Sequence, residues 1–448
     1  MKIVSLRIVV VLSALSAFAW CAAARLSADP ITGDLGGTAG TDVKSQEITD
    51  AVARFKDRDF DGALKLLKEA VKKNADLPPA QVILAQLFSQ ANIPMGVRNA
   101  LEQAAVESPD DPEAYVIMGD IALRERQVTA ANLLYAKAAS LMAKFDKSAK
   151  RKGLLQPRVY SGLASVAEAR EDWAGAQKQL ETWLTLEPKS AVAMQRLARC
   201  LFQQKKPTSA LTMLRDAAKA DPEVLTPEAR LAQFYEQATP PDHENANKSM
   251  AAALVAAPKD IKTWLVAGQH ALETGELELA QKRAAAAMDL DAKSLDAKIL
   301  RGVIALFQKD YKAAELYFES AHLQSPGNFP ASNNLALALI EQKDESKKRR
   351  ALEYAEANAR QFPKNSEAAS TYGWTLYKLG RLDEAEQALR AAASGGTFSA
   401  DTAYYIARVS AERGREAEAK QLLETALKST GPFSQRQEAK ALLERLKK

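Results

Sequence analysis

Few residues of this chain have the types and spacing that acid–base, nucleophilic or metal chemistry requires. The sequence of 448 residues contains three histidines and two cysteines. His243, His270 and His322 lie far apart, and neither a His-Glu-x-x-His pattern nor a Cys-x-x-Cys pair occurs. Cys200 lies in an apolar stretch with helical periodicity, which is typical of a buried structural thiol. These spacings predict neither a metal site nor a cysteine nucleophile.

The remaining candidate groups are carboxylates, which are numerous but lack the arrangement of a catalytic pair. General acid–base catalysis needs two such groups fixed across a desolvated cleft. Here Asp and Glu recur mostly beside Lys or Arg, as they do on solvated helix faces. No glycine-rich loop ending in Gly-Lys-Ser or Gly-Lys-Thr is present to bind a phosphate. The sequence therefore predicts no catalytic residues, no cofactor and no enzymatic activity.

The composition indicates which elements must position the side chains. Hydrophobic residues make up 47% of the chain but aromatic residues only 6%, and alanine is the most abundant residue. This mixture favours closely packed helices over a β-sandwich or barrel, which needs more aromatic and β-branched residues, and over a disordered chain. Lys and Arg number 61 and Asp and Glu 56. So small an excess of positive charge does not indicate a nucleic-acid partner.

The first 24 residues have the pattern of an export signal. A basic start that includes Lys2 is followed by an apolar run at residues 8–19 and by small residues at 22–24, which signal peptidase requires. We expect cleavage after Ala24. Two alternatives are lipid attachment at Cys21 and retention of the segment as a membrane anchor. In each case the rest of the chain lies outside the cytoplasm, which predicts a periplasmic or cell-envelope location.

Residues 25–43 are rich in Gly, Asp and Thr, and we expect them to be a flexible tether. After this segment the sequence repeats with a period of 34 residues. Position eight of the repeat is small in all eleven units, position 20 is Ala in ten, and position 32 is Pro in six. Three longer steps add residues before Pro157, near Pro240 and around Lys347–Arg350. The eleven units span residues 44–433 and begin at 44, 78, 112, 157, 191, 225, 261, 295, 329, 366 and 400.

Each unit carries two apolar stretches with helical periodicity, joined by a short turn. Small residues at positions eight and 20 would let the two helices approach closely, and a larger residue at position 17, such as Phe60, Trp173 or Tyr311, would fill the space between units. Proline at position 32 would end the second helix, because it cannot continue the backbone hydrogen bonds of the preceding turn. Residues 434–448 predict a final helix that caps the exposed end of the stack.

The repeat resembles the tetratricopeptide repeat, with small residues at positions eight, 20 and 27 and Pro at position 32. The segments at residues 264–268 (WLVAG) and 372–377 (YGWTLY) are close to the first-helix signature of that family. The resemblance implies an all-α fold, a right-handed superhelical solenoid of tandem antiparallel helix pairs. It also implies that positions two, five, nine, 12 and 13 of the first helices line a concave groove, which holds an extended peptide or a partner helix.

Carried over to this sequence, those positions are mainly polar in units four to seven and more apolar and aromatic in units eight to eleven. Aromatic anchors would supply most of the binding energy, although the aliphatic members are equally expected to pack the inner wall. One branch of the family binds C-terminal carboxylates through Lys at position five and Asn at position nine of its first unit, and no unit here has that pair. The candidate protein-binding residues are Gln195, Arg199, Gln233, Gln269, Phe307, Ile340, Trp374, Tyr377 and Tyr404.

Two basic runs complete the candidate sites. One occupies residues 144–152, in the insertion after unit three, and the other is Lys347–Arg350, in a widened turn of unit nine. We expect solvated loops at both places. Alternatively, these loops contact acidic lipid head groups or an anionic glycan. The loops or the leader would then bring the protein close to a membrane.

Together these features predict a non-enzymatic, exported scaffold that binds proteins or peptides, in bacterial envelope assembly or secretion. The alternative function is an accessory factor for polysaccharide export or cell-wall synthesis, which would contact a glycan or its synthase. An enzyme is the least favoured class, because the repeats leave no room for a catalytic domain. The identity of the partner and the oligomeric state are left open by the sequence.

Overall fold

The computed structural model describes residues 45–396, 398–429 and 431–448. Within those residues the regular structure consists of 23 α-helices, and no β-strand occurs. The predicted leader (residues 1–24) and tether (residues 25–43) lie outside the described residues. The all-α class predicted from the composition and the periodicity is confirmed.

The helices alternate as first and second helices of the units defined by the sequence period. The first twelve are α1 Gln46–Lys56, α2 Phe60–Lys73, α3 Ala80–Gln90, α4 Pro94–Glu107, α5 Glu113–Arg124, α6 Val128–Met142, α7 Ala149–Ala169, α8 Trp173–Leu186, α9 Ala191–Gln203, α10 Pro207–Ala220, α11 Pro227–Glu236 and α12 His243–Ala256. The others are α13 Ile261–Glu273, α14 Leu277–Leu290, α15 Leu295–Phe307, α16 Tyr311–Gln324, α17 Phe329–Ile340, α18 Glu345–Gln361, α19 Ser366–Lys378, α20 Leu382–Ala393, α21 Ala400–Glu412, α22 Glu416–Leu427 and α23 Arg436–Lys447.

The described chain divides into two compact blocks, which we call the N-terminal block (residues 45–249) and the C-terminal block (residues 250–448). Within each block, a helix packs mainly against the helices that precede and follow it in sequence. Successive first helices also touch, as α5 and α7 do in the N-terminal block and α19 and α21 in the C-terminal block. Each unit therefore buries its apolar faces against its neighbours, which is how a repeat protein is stabilised.

Small residues allow the two helices of a unit to pack closely, as the sequence predicts. In unit eight, a Cβ atom added to Gly302 would lie only 2.6 Å from the ring of Phe318. The alanines at position 20 have no exposed surface, so a larger side chain there would push the helices apart. They are Ala63, Ala131, Ala176, Ala210, Ala246, Ala280, Ala314, Ala351, Ala385 and Ala419, all 0% exposed.

Helix ends follow the polar and proline positions of the repeat. The side chain of Asp59 accepts a hydrogen bond from the backbone N–H of Gly62 and so caps α2, and Asp310 caps α16 in the same way. Helices α4 and α16 end two residues before Pro109 and Pro326. These local signals explain why the helices begin and end where the 34-residue period places them.

The expectation of a loop is wrong for Lys347–Arg350, and it holds only for the first part of the insertion before Pro157, where residues 143–148 are non-helical. The remaining residues before Pro157 extend the first helix of unit four, because α7 begins at Ala149, where the Ser148 side chain caps it. Proline removes one helical hydrogen bond, and the exposed Gly153, four residues earlier, lets water reach the carbonyl that loses its partner. In unit nine, the run Lys347–Arg350 lies inside α18 rather than in a turn. The extra residues lengthen helices, which satisfies more of their backbone than an irregular loop would.

Candidate functional site

The predicted binding residues lie on first helices, at positions two, five, nine, 12 and 13, and we call this surface the first-helix wall. In the N-terminal block, α9 carries Gln195 and Arg199, and α11 carries Gln233. The C-terminal block carries the other six, from α13 to α21: Gln269, Phe307, Ile340, Trp374, Tyr377 and Tyr404. The wall differs between the two blocks in how much of it a partner can reach.

In the C-terminal block, the aromatic members of the wall are packed against one another. The Trp374 ring is stacked between Tyr405, with ring centroids 4.2 Å apart, and Tyr377, with centroids 5.0 Å apart. Trp374 is 4% exposed and Tyr404 2%, and Ile340 is likewise buried. Offset stacking of this kind adds to the stability gained from burial. These rings form part of the hydrophobic core of their block.

The polar atoms of the same rings already have partners. Trp374 Nε1 donates to Glu341 Oε1 at 2.8 Å. Arg408 Nη2 donates to the Tyr377 hydroxyl at 2.7 Å, and that hydroxyl donates to Glu412. Burial raises the pKa of Tyr377 to about 12, so its hydroxyl keeps its proton at neutral pH. The cluster has neither exposed rings nor unused hydrogen-bonding atoms to offer at these positions.

One ion pair joins parts of the C-terminal block that are distant in sequence. Lys309, in the turn between α15 and α16, pairs with Glu438 on α23, although units nine to eleven lie between them in the chain. The final helix therefore contacts unit eight as well as packing on α22. Of the wall residues proposed here, Phe307 and Gln269 are half-buried. The hypothesis that Ile340, the aromatic residues and these two bind a partner stays a prediction.

The wall of the N-terminal block is polar and more accessible. We call its part on α7, α9 and α11 the polar wall. Gln195 and Gln233 are half-buried, and Arg199 is exposed, with its guanidinium 5.9 Å from the centroid of the Trp173 ring. Among the described residues, Arg199 has no ion pair. The polar members of the polar wall include Arg158, Ser161, Ser165, Glu168, Gln195, Arg199, Gln233 and Glu236.

Some of the charges on the polar wall connect adjacent units. Arg158 Nη2 on α7 donates to Asp120 Oδ2 on α5 at 2.6 Å, and the Tyr135 hydroxyl donates to the same carboxylate. Burial and the neighbouring Asp120 charge raise the pKa of Tyr135. Arg196 on α9 binds back onto α7, where Glu168 Oε1 accepts from its Nε at 3.0 Å. These pairs are structural, so the free binding capacity of the wall lies in its glutamines and in Arg199.

The expectation of a solvated surface at the two basic runs is wrong for Arg151 and holds for the exposed residues Lys144, Lys147 and Lys150. Arg151 is 2% exposed and donates to Asp111 Oδ1 at 2.7 Å and to Glu113 Oε2 at 2.7 and 3.0 Å. In the second run, Arg350 Nη2 donates to Glu319 Oε1 at 2.7 Å, and Lys347 pairs with Glu315. Repeat spacing could not identify these pairs, because the acidic partners lie 31 to 40 residues earlier in the chain, with no fixed offset.

Cys200, His243 and His270 are each buried or paired. Cys200 is buried as expected, and burial raises the pKa of its thiol to about 12, so the reactive thiolate is absent at neutral pH. His270 is buried, and His243 lies beside the Glu236 carboxylate. Within the described residues, no three His, Cys, Asp or Glu side chains are grouped so as to hold a metal ion. None of the described helices is long and apolar enough to span a membrane.

Family models of the tetratricopeptide repeat match residues 167–237, 265–333 and 342–401. These three segments are therefore tetratricopeptide repeats, and the predicted fold class, an all-α repeat of tandem helix pairs, is confirmed. Proteins of this family generally bind other proteins and are generally not catalytic. A comparison with curated proteins gives no match.

Solved structures of similar proteins include yeast Tom70, which is 15% identical over 90% of this chain and 95% of its own, with a TM-score of 0.38. A tetratricopeptide repeat protein from Parabacteroides merdae is 13% identical over 66% of this chain and 100% of its own, with a TM-score of 0.40. PilW, described as a type IV pilus biogenesis factor, is 18% identical over 50% of this chain and 99% of its own, with a TM-score of 0.39. Likenesses of this degree carry no conclusion about function.

Proposed function

We propose that this protein is a non-enzymatic scaffold that binds a segment of a partner protein along the polar wall. The observation that carries the proposal is the contrast between the two parts of the first-helix wall. On α19 and α21 the wall is buried and its polar atoms are paired. On α9 and α11, by contrast, Arg199 is exposed and Gln195 and Gln233 are half-buried. Of the two glutamines, only Gln233 has a side-chain hydrogen bond within the described residues, which its Oε1 accepts from Arg230.

The side chains of the polar wall suit an extended peptide. Such a peptide presents backbone N–H and C=O groups along its length, and a glutamine amide can donate to one and accept from the other. Gln195 and Gln233 lie on successive first helices, so a bound segment could contact both. Unlike a fixed ion pair, these amides tolerate many partner sequences. We therefore expect backbone recognition at the glutamines and side-chain recognition at the charged residues between them.

We also propose that the protein works outside the cytoplasm, in assembly or secretion at the cell envelope. The basic start, apolar run and small residues of the first 24 positions support this location. The glycan-handling role has less support, because Arg151, Lys347 and Arg350, from the basic runs that would contact a glycan, are engaged in ion pairs.

Site-specific photocrosslinking in cells tests the proposal. A photoreactive phenylalanine analogue would replace Gln195 or Gln233 on the polar wall, and Thr212 as the matched control. Thr212 is exposed on the second helix α10, away from the first-helix wall. We expect one defined adduct of higher mass from each wall position and none from the control. The same adducts from Thr212, or none from either glutamine position, would contradict the proposed site.

A further inference from the structure

Position six of the first helices carries a charged residue in two of the eleven units, Arg196 in unit five and Arg230 in unit six. Both lie in the N-terminal block and on consecutive first helices, α9 and α11. Because they occupy the same position of the repeat, each guanidinium should reach the same three places on the preceding first helix. The two sites can therefore be compared position by position.

The site of Arg196 is complete within the chain. Its guanidinium donates to Ser161 Oγ at 2.8 Å, to Ser165 Oγ at 2.9 Å and to Glu168 Oε1 at 3.0 Å. These three residues are positions five, nine and 12 of unit four. A carboxylate at position 12 thus neutralises the arginine of the next unit, and two hydroxyl groups use its remaining donors.

The site of Arg230 lacks the carboxylate. Positions five, nine and 12 of unit five are Gln195, Arg199 and Phe202, so a phenyl ring stands in place of Glu168 and a second guanidinium in place of Ser165. Phe202 packs against Phe234, with ring centroids 5.6 Å apart, and cannot accept a hydrogen bond. By the repeat equivalence, a second guanidinium, that of Arg199, belongs to this part of the wall, and no acid takes the place of Glu168.

The contacts of Arg230 differ from those of Arg196, as the missing carboxylate leads one to expect. Its Nη1 donates to Gln233 Oε1 at 2.7 Å, but its Nε is buried without a partner. Burial lowers the pKa of the Arg230 guanidinium, and no acidic group opposes that effect. Within the described residues, neither Arg230 nor Arg199 forms an ion pair. A guanidinium has five N–H donors, and only one of those on Arg230 has a partner within the described residues.

We propose that Arg199 and Arg230 bind the side-chain carboxylate of an Asp or Glu in the partner segment. The partner would supply to Arg230 the acid that Glu168 supplies to Arg196. The proposal rests on the proposed function and deepens it, because it names the chemistry of the segment that the polar wall recognises. A carboxylate is favoured as the ligand because the equivalent arginine one unit earlier, Arg196, binds the carboxylate of Glu168. Gln195 would orient the bound group from position five.

Three fluorescently labelled hexapeptides with blocked ends test this inference by fluorescence anisotropy: hexaglutamate, hexaglutamine and a peptide of phosphoserine and glycine. Arg199→Gln and Arg230→Gln each remove one guanidinium. The matched control is Arg215→Gln, which removes an exposed arginine on the second helix α10. We expect hexaglutamate to bind most tightly, and each wall variant to weaken its binding by about tenfold or more. The control should bind as the unaltered protein does.

Three results would overturn the inference: equal binding of hexaglutamate and hexaglutamine, unchanged binding by both wall variants, or preferred binding of the phosphopeptide. Thermal unfolding of each variant separates a lost contact from a lost fold. Photocrosslinking separates this inference from the proposed function. If Gln195 still gives its adduct in the Arg230→Gln background at full yield, the carboxylate site is wrong but the polar wall stands. If Gln195 and Gln233 give no adduct in the unaltered protein, the proposed function itself is wrong.

Discussion

Replacing Arg151 by Met should open units three and four of the N-terminal block. The Arg151 side chain is 2% exposed, and its carboxylate partners Asp111 and Glu113 are 4% and 6% exposed. Methionine has a similar length and packs well in a core, so the change removes the charge while leaving little empty volume. The two carboxylates would then be buried together without a cation.

The cost can be worked from that geometry. Removing one partner of a buried, hydrogen-bonded ion pair typically destabilises a protein by about 3–5 kcal/mol. Because each unit contacts only its neighbours, the loss should remain near α5 and α7. A free-energy change of this size raises the local opening equilibrium by roughly a hundredfold to several thousandfold.

Hydrogen–deuterium exchange measured by mass spectrometry would detect the opening. We expect faster exchange in peptides from α5 and α7 of the Arg151→Met variant, and unchanged exchange in α1. Lys150→Met is the matched control, because Lys150 is the adjacent, exposed residue of the same helix. Equal exchange in the two variants would refute the reasoning that Arg151 is a buried charge that secures the extended helix α7.

The pH dependence of the same variant gives a second test. Burial raises the pKa of Glu113 above its usual value even though Arg151 opposes that shift. With the arginine removed, the folded state should bind a proton at Glu113 more tightly than the unfolded state does. Stability then rises as pH falls through the interval between the two pKa values. The deficit of Arg151→Met should therefore shrink as the pH falls toward the ordinary pKa of a glutamate, and a deficit that grows would contradict this assignment.

Four further predictions concern other parts of the molecule. Trp374→Ala should lower the free energy of unfolding, measured by urea denaturation, by about 3–5 kcal/mol, because the ring is buried between two tyrosines. A loss below about 1 kcal/mol would mean that the ring does not belong to the hydrophobic core. Arg196→Met should lower the free energy of unfolding by about 1–3 kcal/mol. Arg230→Met should leave the unfolding midpoint unchanged or raise it, because the Arg230 guanidinium has few hydrogen-bond partners. Equal losses of stability in the two variants would contradict the comparison of the two arginines. Cys200 should react with a thiol reagent at neutral pH only after unfolding, because burial raises its pKa to about 12. N-terminal sequencing of the protein recovered from the cell envelope should begin at Arg25, and an intact Met1 would exclude cleavage.

The sequence predicted the repeat architecture well because that architecture depends on short-range patterns. Alanine occupies position 20, where the two helices of a unit cross, in ten of the eleven units, and all ten alanines have no exposed surface. Pro109 and Pro326 mark helix ends because proline acts on the turn directly before it. Such constraints act within a few residues or within one unit, so a single sequence contains them in full.

The conformation of the insertions and the burial of the first-helix wall could not be predicted from the 34-residue period. Pro157 is usually a sign that a helix ends, yet α7 continues through it because Arg151 and Ser148 secure the additional turns. The burial of Trp374 depends on how closely units eight to eleven pack together. The ion pair between Lys309 and Glu438 is a sign of this packing, and it joins residues far apart in sequence. The unpaired state of Arg230 became visible only by comparing its contacts with those of Arg196.

Hydroxyl-radical footprinting of the protein, first alone and then in complex with the partner identified by crosslinking, would show where the partner binds. We expect the partner to protect side chains of the polar wall on α7, α9 and α11, including Gln195 and Arg199, and to leave the modification of Trp374 and Tyr404 unchanged. Protection confined to the first helices of the C-terminal block, with α9 and α11 unprotected, would contradict the proposed site.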